Sequence, residues 1–168
     1  KEGFKRPATM AFNNASGIGN TEGFRKAWEA KGNKVVASVV YEPNQPSYRS
    51  ELQKVLSANP DVIVTGSYLA DTTIIMREWY QTGQPVKWII PGWAANPELV
   101  KALGPDVVEG VISVDSVSNE NAPSYKVYDE AYRKATGQPG ASNIFGAMTW
   151  DMVNCLALAI EAGNSSES

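Results

Sequence analysis

The residues of this chain that could do chemistry gather in three short stretches. Residues 13–23 read Asn13-Asn14-Ala15-Ser16-Gly17-Ile18-Gly19-Asn20-Thr21-Glu22-Gly23, amides and hydroxyls interleaved with glycines. Such a run can bring backbone N–H groups close to an oxyanion where a helix begins. Residues 65–71 read Thr65-Gly66-Ser67-Tyr68-Leu69-Ala70-Asp71 and place an amphipathic ring, able to close over a small ligand, beside two residues able to cap a helix, Ser67 and Asp71. Residues 91–94, Pro91-Gly92-Trp93-Ala94, hold an indole next to a glycine, which serves a binding surface or packs against neighbouring helices.

Catalysis has less to rest on. The chain has no His and one Cys, so the usual zinc ligand sets and any His-based triad are excluded. Asp71, Glu78 and Glu98 fall on helical patterns whose default is a solvated face, and no nucleophile has a base in reach of it. No catalytic residue, metal ligand or cofactor is expected. A nucleotide-dependent enzyme is the rival: the first loop is glycine-rich, and Glu42 sits where an acid for a ribose would be wanted. A dinucleotide fingerprint, however, starts its first glycine in a tight turn directly after the strand, whereas residues 13–16 separate Phe12 from Gly17. Otherwise Gly17 and Gly19 serve turn conformations with Asn20 capping the helix, or Ser16 and nearby amides touch a ligand.

These loops need a frame. Short β-branched runs at 8–12, 35–41, 61–65, 87–90 and 108–114 alternate with helical patterns. Phe24, Ala27 and Trp28 form one helical stripe; Tyr48, Leu52, Val55 and Leu56 form another; Thr72, Ile75, Met76 and Trp79 form a third. Gly32, Asn59 with Pro60, and Gly83 end these helices. The order specifies an α/β fold, a doubly wound parallel five-stranded sheet flanked by helices. In such a sheet ligands lie beyond the carboxyl ends of the strands, where neighbouring connections diverge, here between the first and third. That places residues 13–19 and 66–68 at one mouth with residues 91–94 beside them, and the ligand contacts expected there are Asn13, Ser16, Gly17, Ser67, Tyr68, Trp93 and Ala94.

After residue 115 the pattern changes. Residues 116–123 read as a polar linker, a helix follows with Tyr125, Tyr128 and Tyr132 on one face, and residues 137–140 break before a last helix from about Ile144 to Ala162. That helix carries Met148, Val153, Leu156 and Ile160 around much of its circumference, and Cys155 on it reads as a buried small side chain. Two helices without a strand do not extend the sheet, so a second, incomplete unit begins near residue 117.

With 43% hydrophobic and 20% charged residues the chain is globular rather than disordered. The net charge of -3 is scattered, with no basic run to follow a phosphate backbone, so no nucleic-acid partner is expected. Residues 148–160, the longest apolar tract, are interrupted by Asp151 and Asn154 and fall short of the roughly 20 residues needed to cross a bilayer. The opening at Lys1 and the Ser-rich end read as those of an excised fragment, its signal sequence lying outside.

Residues 19–28, 52–59 with 60–66, Glu109-Gly110-Val111 and Thr149-Trp150-Asp151-Met152-Val153 resemble, in order and spacing, the periplasmic binding proteins of branched-chain amino-acid ABC transporters. The resemblance implies a two-lobed clamshell in the periplasm or on the extracellular side of a membrane, which encloses an amino acid or an aromatic or organic acid and presents it to a membrane permease. Residues 1–116 would be the second lobe, and residues 117–168 hinge and return helices of the first. Tyr68 matches a position where the family's Tyr touches the ligand, Ser16 or Gly17 falls where relatives often carry a Tyr, and Trp93 falls where amino-acid binders place a Glu for the ligand ammonium. That last departure points to an apolar or aromatic acid stacked on Trp93. A sensory ectodomain on the same clamshell is the alternative within this architecture. The exposed return helices make a dimer or a domain swap plausible.

Overall fold

A run such as Pro7–Phe12, buried at every position, forms a strand only where both faces are covered. The structure, a computed structural model, describes residues 2–115, 118–143 and 145–163 and places that strand, β1, at the centre of the switch point. It is followed by α1 (Ala15–Glu29), β2 (Ala37–Tyr41), α2 (Arg49–Leu56), β3 (Val62–Gly66), α3 (Leu69–Tyr80), β4 (Lys87–Pro91), α4 (Pro97–Leu103), α5 (Pro105–Val108) and β5 (Ile112–Val114). The sheet order is β2-β1-β3-β4-β5 and all pairings are parallel. Phe12 is level with Tyr41 and Ala11 with Gly66, so the three loops leaving β1, β2 and β3 start side by side.

Right-handed crossovers in this order send α1 to one face and α2, α3 and α4 to the other. The larger core lies on the latter face, where Met10, Phe12, Ile63, Trp88 and Ile90 meet Leu52, Val55, Ile75 and Met76. Gly32 (φ 77°), Asn59 (φ 50°) and Gly83 (φ 68°) take the left-handed conformation just past α1, α2 and α3, where the sequence ends those helices.

Several boundaries differ from expectation. β5 is three residues, not residues 108–114, because Pro105 starts a short helix that takes up Val108, and Gly110 turns the chain at φ 76°. The Phe24, Ala27 and Trp28 stripe is not the docking face of α1: Ala27 is exposed, Phe24 and Trp28 are half-buried, and Gly17 and Thr21 are the residues that go under. A helix beside a sheet docks through small side chains when the backbones approach closely, and apolar bulk then falls outside the contact.

Contacts divide the chain into units Lys1–Asp115 and Ser116–Ser168. In the second, α6 (Pro123–Thr136), a 3₁₀ turn (Gly140–Ser142) and α7 (Gly146–Gly163) gather around Tyr128. Tyr128 is buried, donates to the Gly140 carbonyl at 3.1 Å and lies among the rings of Tyr125, Tyr132 and Trp150. Cys155 is exposed rather than buried, as are Met148, Met152, Val153, Leu156, Leu158 and Ile160. Ile144, the expected start of the last helix, and residues 116 and 117 at the expected boundary lie outside the described residues.

Candidate functional site

The site is built on a glycine-to-glycine contact. Gly17, in the first turn of α1, sits so close to the end of β3 that a Cβ on it would lie 2.6 Å from the Phe12 carbonyl oxygen and 3.0 Å from that of Gly66. A Cβ on Gly66 would lie 2.5 Å from the Gly17 carbonyl oxygen. Here glycine is required by close approach, not by a turn: Gly17 and Gly19 are helical residues. The cap of α1 is Asn14, not Asn20. Asn14 is extended, and its side chain accepts from the Gly17 N–H at 2.9 Å, while Asn20 lies inside the helix and donates to the Ser16 carbonyl.

Against this close-packed corner Tyr68 forms a fixed platform. Its ring stacks on Phe12 with centroids 4.4 Å apart and planes 25° from parallel. Phe12 is fully buried and Tyr68 is 50% exposed, so one aromatic face rests on the core and much of the remaining ring meets solvent. Tyr68 is also the extended N-cap residue of α3, and its carbonyl accepts from the Thr72 N–H at 2.9 Å and the Thr72 hydroxyl at 2.8 Å. Backbone and ring are held at both ends.

Neither Ser67 nor Asp71 caps α3. Ser67 is buried and bonds Thr72 Oγ1 at 2.6 Å and Thr65 Oγ1 at 3.2 Å. Asp71 is 2% exposed, and its Oδ1 accepts from the Tyr48 hydroxyl at 2.6 Å and the Asn44 N–H at 3.0 Å. One carboxylate therefore fastens the β2–α2 connection to the start of α3. Burial pushes the Tyr48 hydroxyl up to about 12, helped by the hydrogen bond to Asp71. Burial also raises Tyr41 strongly, with the Asp71 charge adding to it.

The indole of Trp93 is half-buried and donates from Nε1 to the Ser67 carbonyl at 3.0 Å, which ties the β4–α4 loop to the β3–α3 loop. Ala94 is wholly buried in the core. Asn13 is exposed, its N–H bonds the Tyr41 carbonyl at 2.7 Å, and its Nδ2 donates to Glu42 Oε1 at 2.6 Å. Ser16 is exposed in the first turn of α1. Of the seven residues expected at this mouth, Asn13, Ser16 and Tyr68 face solvent, Trp93 does so in part, and the side chains of Ser67 and Ala94, with Gly17, lie beneath it. Gly66 was expected at this mouth; Phe12 was not, although it is the last residue of β1 at the switch point, which is the signal that would have found it. Glu42 stands just past β2, beside Asn13.

A hollow of about 500 Å³ lies away from the strand ends, between α2 and α3, lined by Arg49, Leu52, Glu78 and Gln81 among others. Among the described residues no group of His, Cys, Asp and Glu is arranged to hold a metal, and no helix is long and apolar enough to cross a membrane.

No curated protein sequence matches the chain. Among solved structures, a leucine binding protein from Thermotoga maritima superposes with a TM-score of 0.86 at 23% identity, over 98% of this chain and 47% of that one. An extracellular ligand-binding receptor from Rhodopseudomonas palustris HaA2 gives 0.80 at 22%, over 99% and 48%. A solute binding protein of an ABC transporter from R. palustris, solved in complex with benzoate, gives 0.78 at 19%, over 98% and 45%. The chain thus spans about half the length of these structures, which share its fold. The model of the periplasmic binding protein family matches residues 1–168, and the chain belongs to that family.

Proposed function

We propose that this chain supplies one lobe, residues 1–116, and return helices, residues 117–168, of the extracytoplasmic solute-binding component of an ABC importer. The observation that carries the reading is the Tyr68 platform: a half-exposed ring, stacked on a buried one and locked through Thr72, at the switch point of the sheet. Binding is its work, not turnover. Tyr68, Trp93, Ser16 and Asn13 meet a small solute, an amino acid or an aromatic or organic acid. Gly17 contributes backbone, and Ser67 and Ala94 hold the surface from below. A second lobe closes over the solute, and because solute contacts both lobes only when they are shut, binding favours the closed form that a membrane permease recognises.

The test is a thermal-shift panel on the two-lobed protein with amino acids, aromatic acids and nucleotides. Stabilisation that grows with the concentration of a small amino or organic acid is expected. A shift with nucleotides alone would overturn the reading in favour of a nucleotide-dependent enzyme.

A further inference from the structure

At the opposite edge of the sheet from the mouth, a smaller hollow of about 140 Å³ lies where the end of α3, the start of β4 and the link from α5 to β5 meet. It is lined by Trp79, Val86, Trp88 and Val111, with Lys87 and Glu109 beside them. The two indoles pack edge to face, centroids 5.5 Å apart and planes at 71°. Trp28, Trp79 and Trp93 each donate from Nε1 to a backbone carbonyl, those of Lys34, Gln84 and Ser67. Trp88 is 1% exposed, and its Nε1 is buried with no hydrogen-bond partner in the protein. Buried N–H groups are nearly always paired, so this one lacks an acceptor. Its chain neighbour Lys87 is a second spare donor. The Lys87 side chain lies over Gly110, where a Cβ would be 2.7 Å from Nζ, and it forms no ion pair among the described residues.

An apolar space of about 150 Å³ holds one benzene ring, so this hollow has the size of a single-ring guest. Indole walls favour an aromatic guest, which meets them offset or edge-on. Lys87 and Glu109 carry opposite charges, so the lining selects neither an anion nor a cation, while the groups left without partners are both donors. We infer that this edge of the sheet is a second small-molecule site, separate from the mouth, which takes a neutral single-ring aromatic bearing a carbonyl group. The ring sits against Trp79 and Trp88, and the carbonyl oxygen, with two lone pairs, accepts from Trp88 Nε1 and Lys87 Nζ. The site does not rest on the solute-binding reading, because the strands are parallel and the mouth lies at their other ends.

The experiment follows the indole N–H resonances of the isotope-labelled two-lobed protein during titration with three probes: acetophenone, ethylbenzene, which lacks the oxygen, and benzoate, which carries a charge. Acetophenone should saturate, move the Trp88 proton downfield as a new hydrogen bond does, leave Trp28 in place, and bind about tenfold or more tighter than either of the others. Val111→Phe, which fills the hollow, should abolish the Trp88 shift, and Val111→Leu, a smaller filling, should weaken it. Circular dichroism checks that both fold, and the Leu variant carries the comparison if the Phe variant does not. An unmoved Trp88 signal, ethylbenzene binding as tightly as acetophenone, or benzoate binding more tightly overturns the inference. So does an undiminished Trp88 shift in the folded variants, and so does a shift of Trp93 without one of Trp88, which puts the guest at the mouth. All of these leave the solute-binding reading standing, since its own thermal-shift panel decides it separately.

Discussion

At the scale of single residues, the mouth depends on what is missing as much as on what is present. Gly66→Ala would push a methyl into the Gly17 carbonyl, a backbone atom that cannot swing away. Thermal unfolding should register a loss of about 1–3 kcal/mol, as for overpacked cores. Tyr68→Ala has the opposite profile. With half its ring in solvent, the side chain contributes modestly to stability, yet under the proposed function its loss should weaken solute affinity at least tenfold by calorimetry while the melting temperature moves little. Tyr68 could be read from sequence because its place depends only on following a strand directly. The inward turn of Ser67 and Ala94 could not, since a side chain in a short loop faces in or out according to its tertiary neighbours. Here those neighbours are Thr65 and Thr72 for Ser67 and the core for Ala94.

At the scale of elements, α3 carries more of the site than its apolar stripe implies. Asp71 and, two turns on, Glu78 hold the β2–α2 connection: Glu78 accepts from the Ser47 hydroxyl at 2.6 Å and the Tyr48 N–H at 2.8 Å, and Asp71 accepts from Tyr48 Oη. A tyrosine whose hydroxyl is raised in the folded state adds stability in full below its unfolded value of about 10, and that contribution falls as pH rises towards the folded value. With Tyr48 pushed up to about 12, urea titrations should show stability declining between about pH 10 and 12, and Tyr48→Phe should flatten the decline. The strands at 8–12, 61–65 and 87–90 could be read nearly to the residue because strands buried on both faces write continuous apolar runs. β5 could not: Val107, Val108 and Val111 extend the apolar run, and Pro105 and Gly110 divide it between a helical turn and a strand. The docking face of α1 was hidden for a related reason, since periodicity shows where apolar bulk lies and not where two backbones touch.

At the scale of the whole molecule, strand signals end after residue 115 in the sequence, and contacts group the chain as Lys1–Asp115 and Ser116–Ser168. Leu156 is 61% exposed within its unit. In this chain alone Leu156→Ala should shift the unfolding midpoint negligibly, as for a surface change. In the two-lobed protein, where the proposed reading buries α7 under the rest of the first lobe, the same substitution should cost about 2–5 kcal/mol. The link between Trp93 and the Ser67 carbonyl gives the molecule an optical readout of its own. Indole emission responds to the partner of its N–H and to the water around its ring. Under the proposed function, loading at Tyr68, one residue away from that carbonyl, should therefore change the colour and intensity of Trp93 emission. With Trp28, Trp79, Trp88 and Trp150 replaced by Phe, the solute capture proposed above should become visible in real time without a dye.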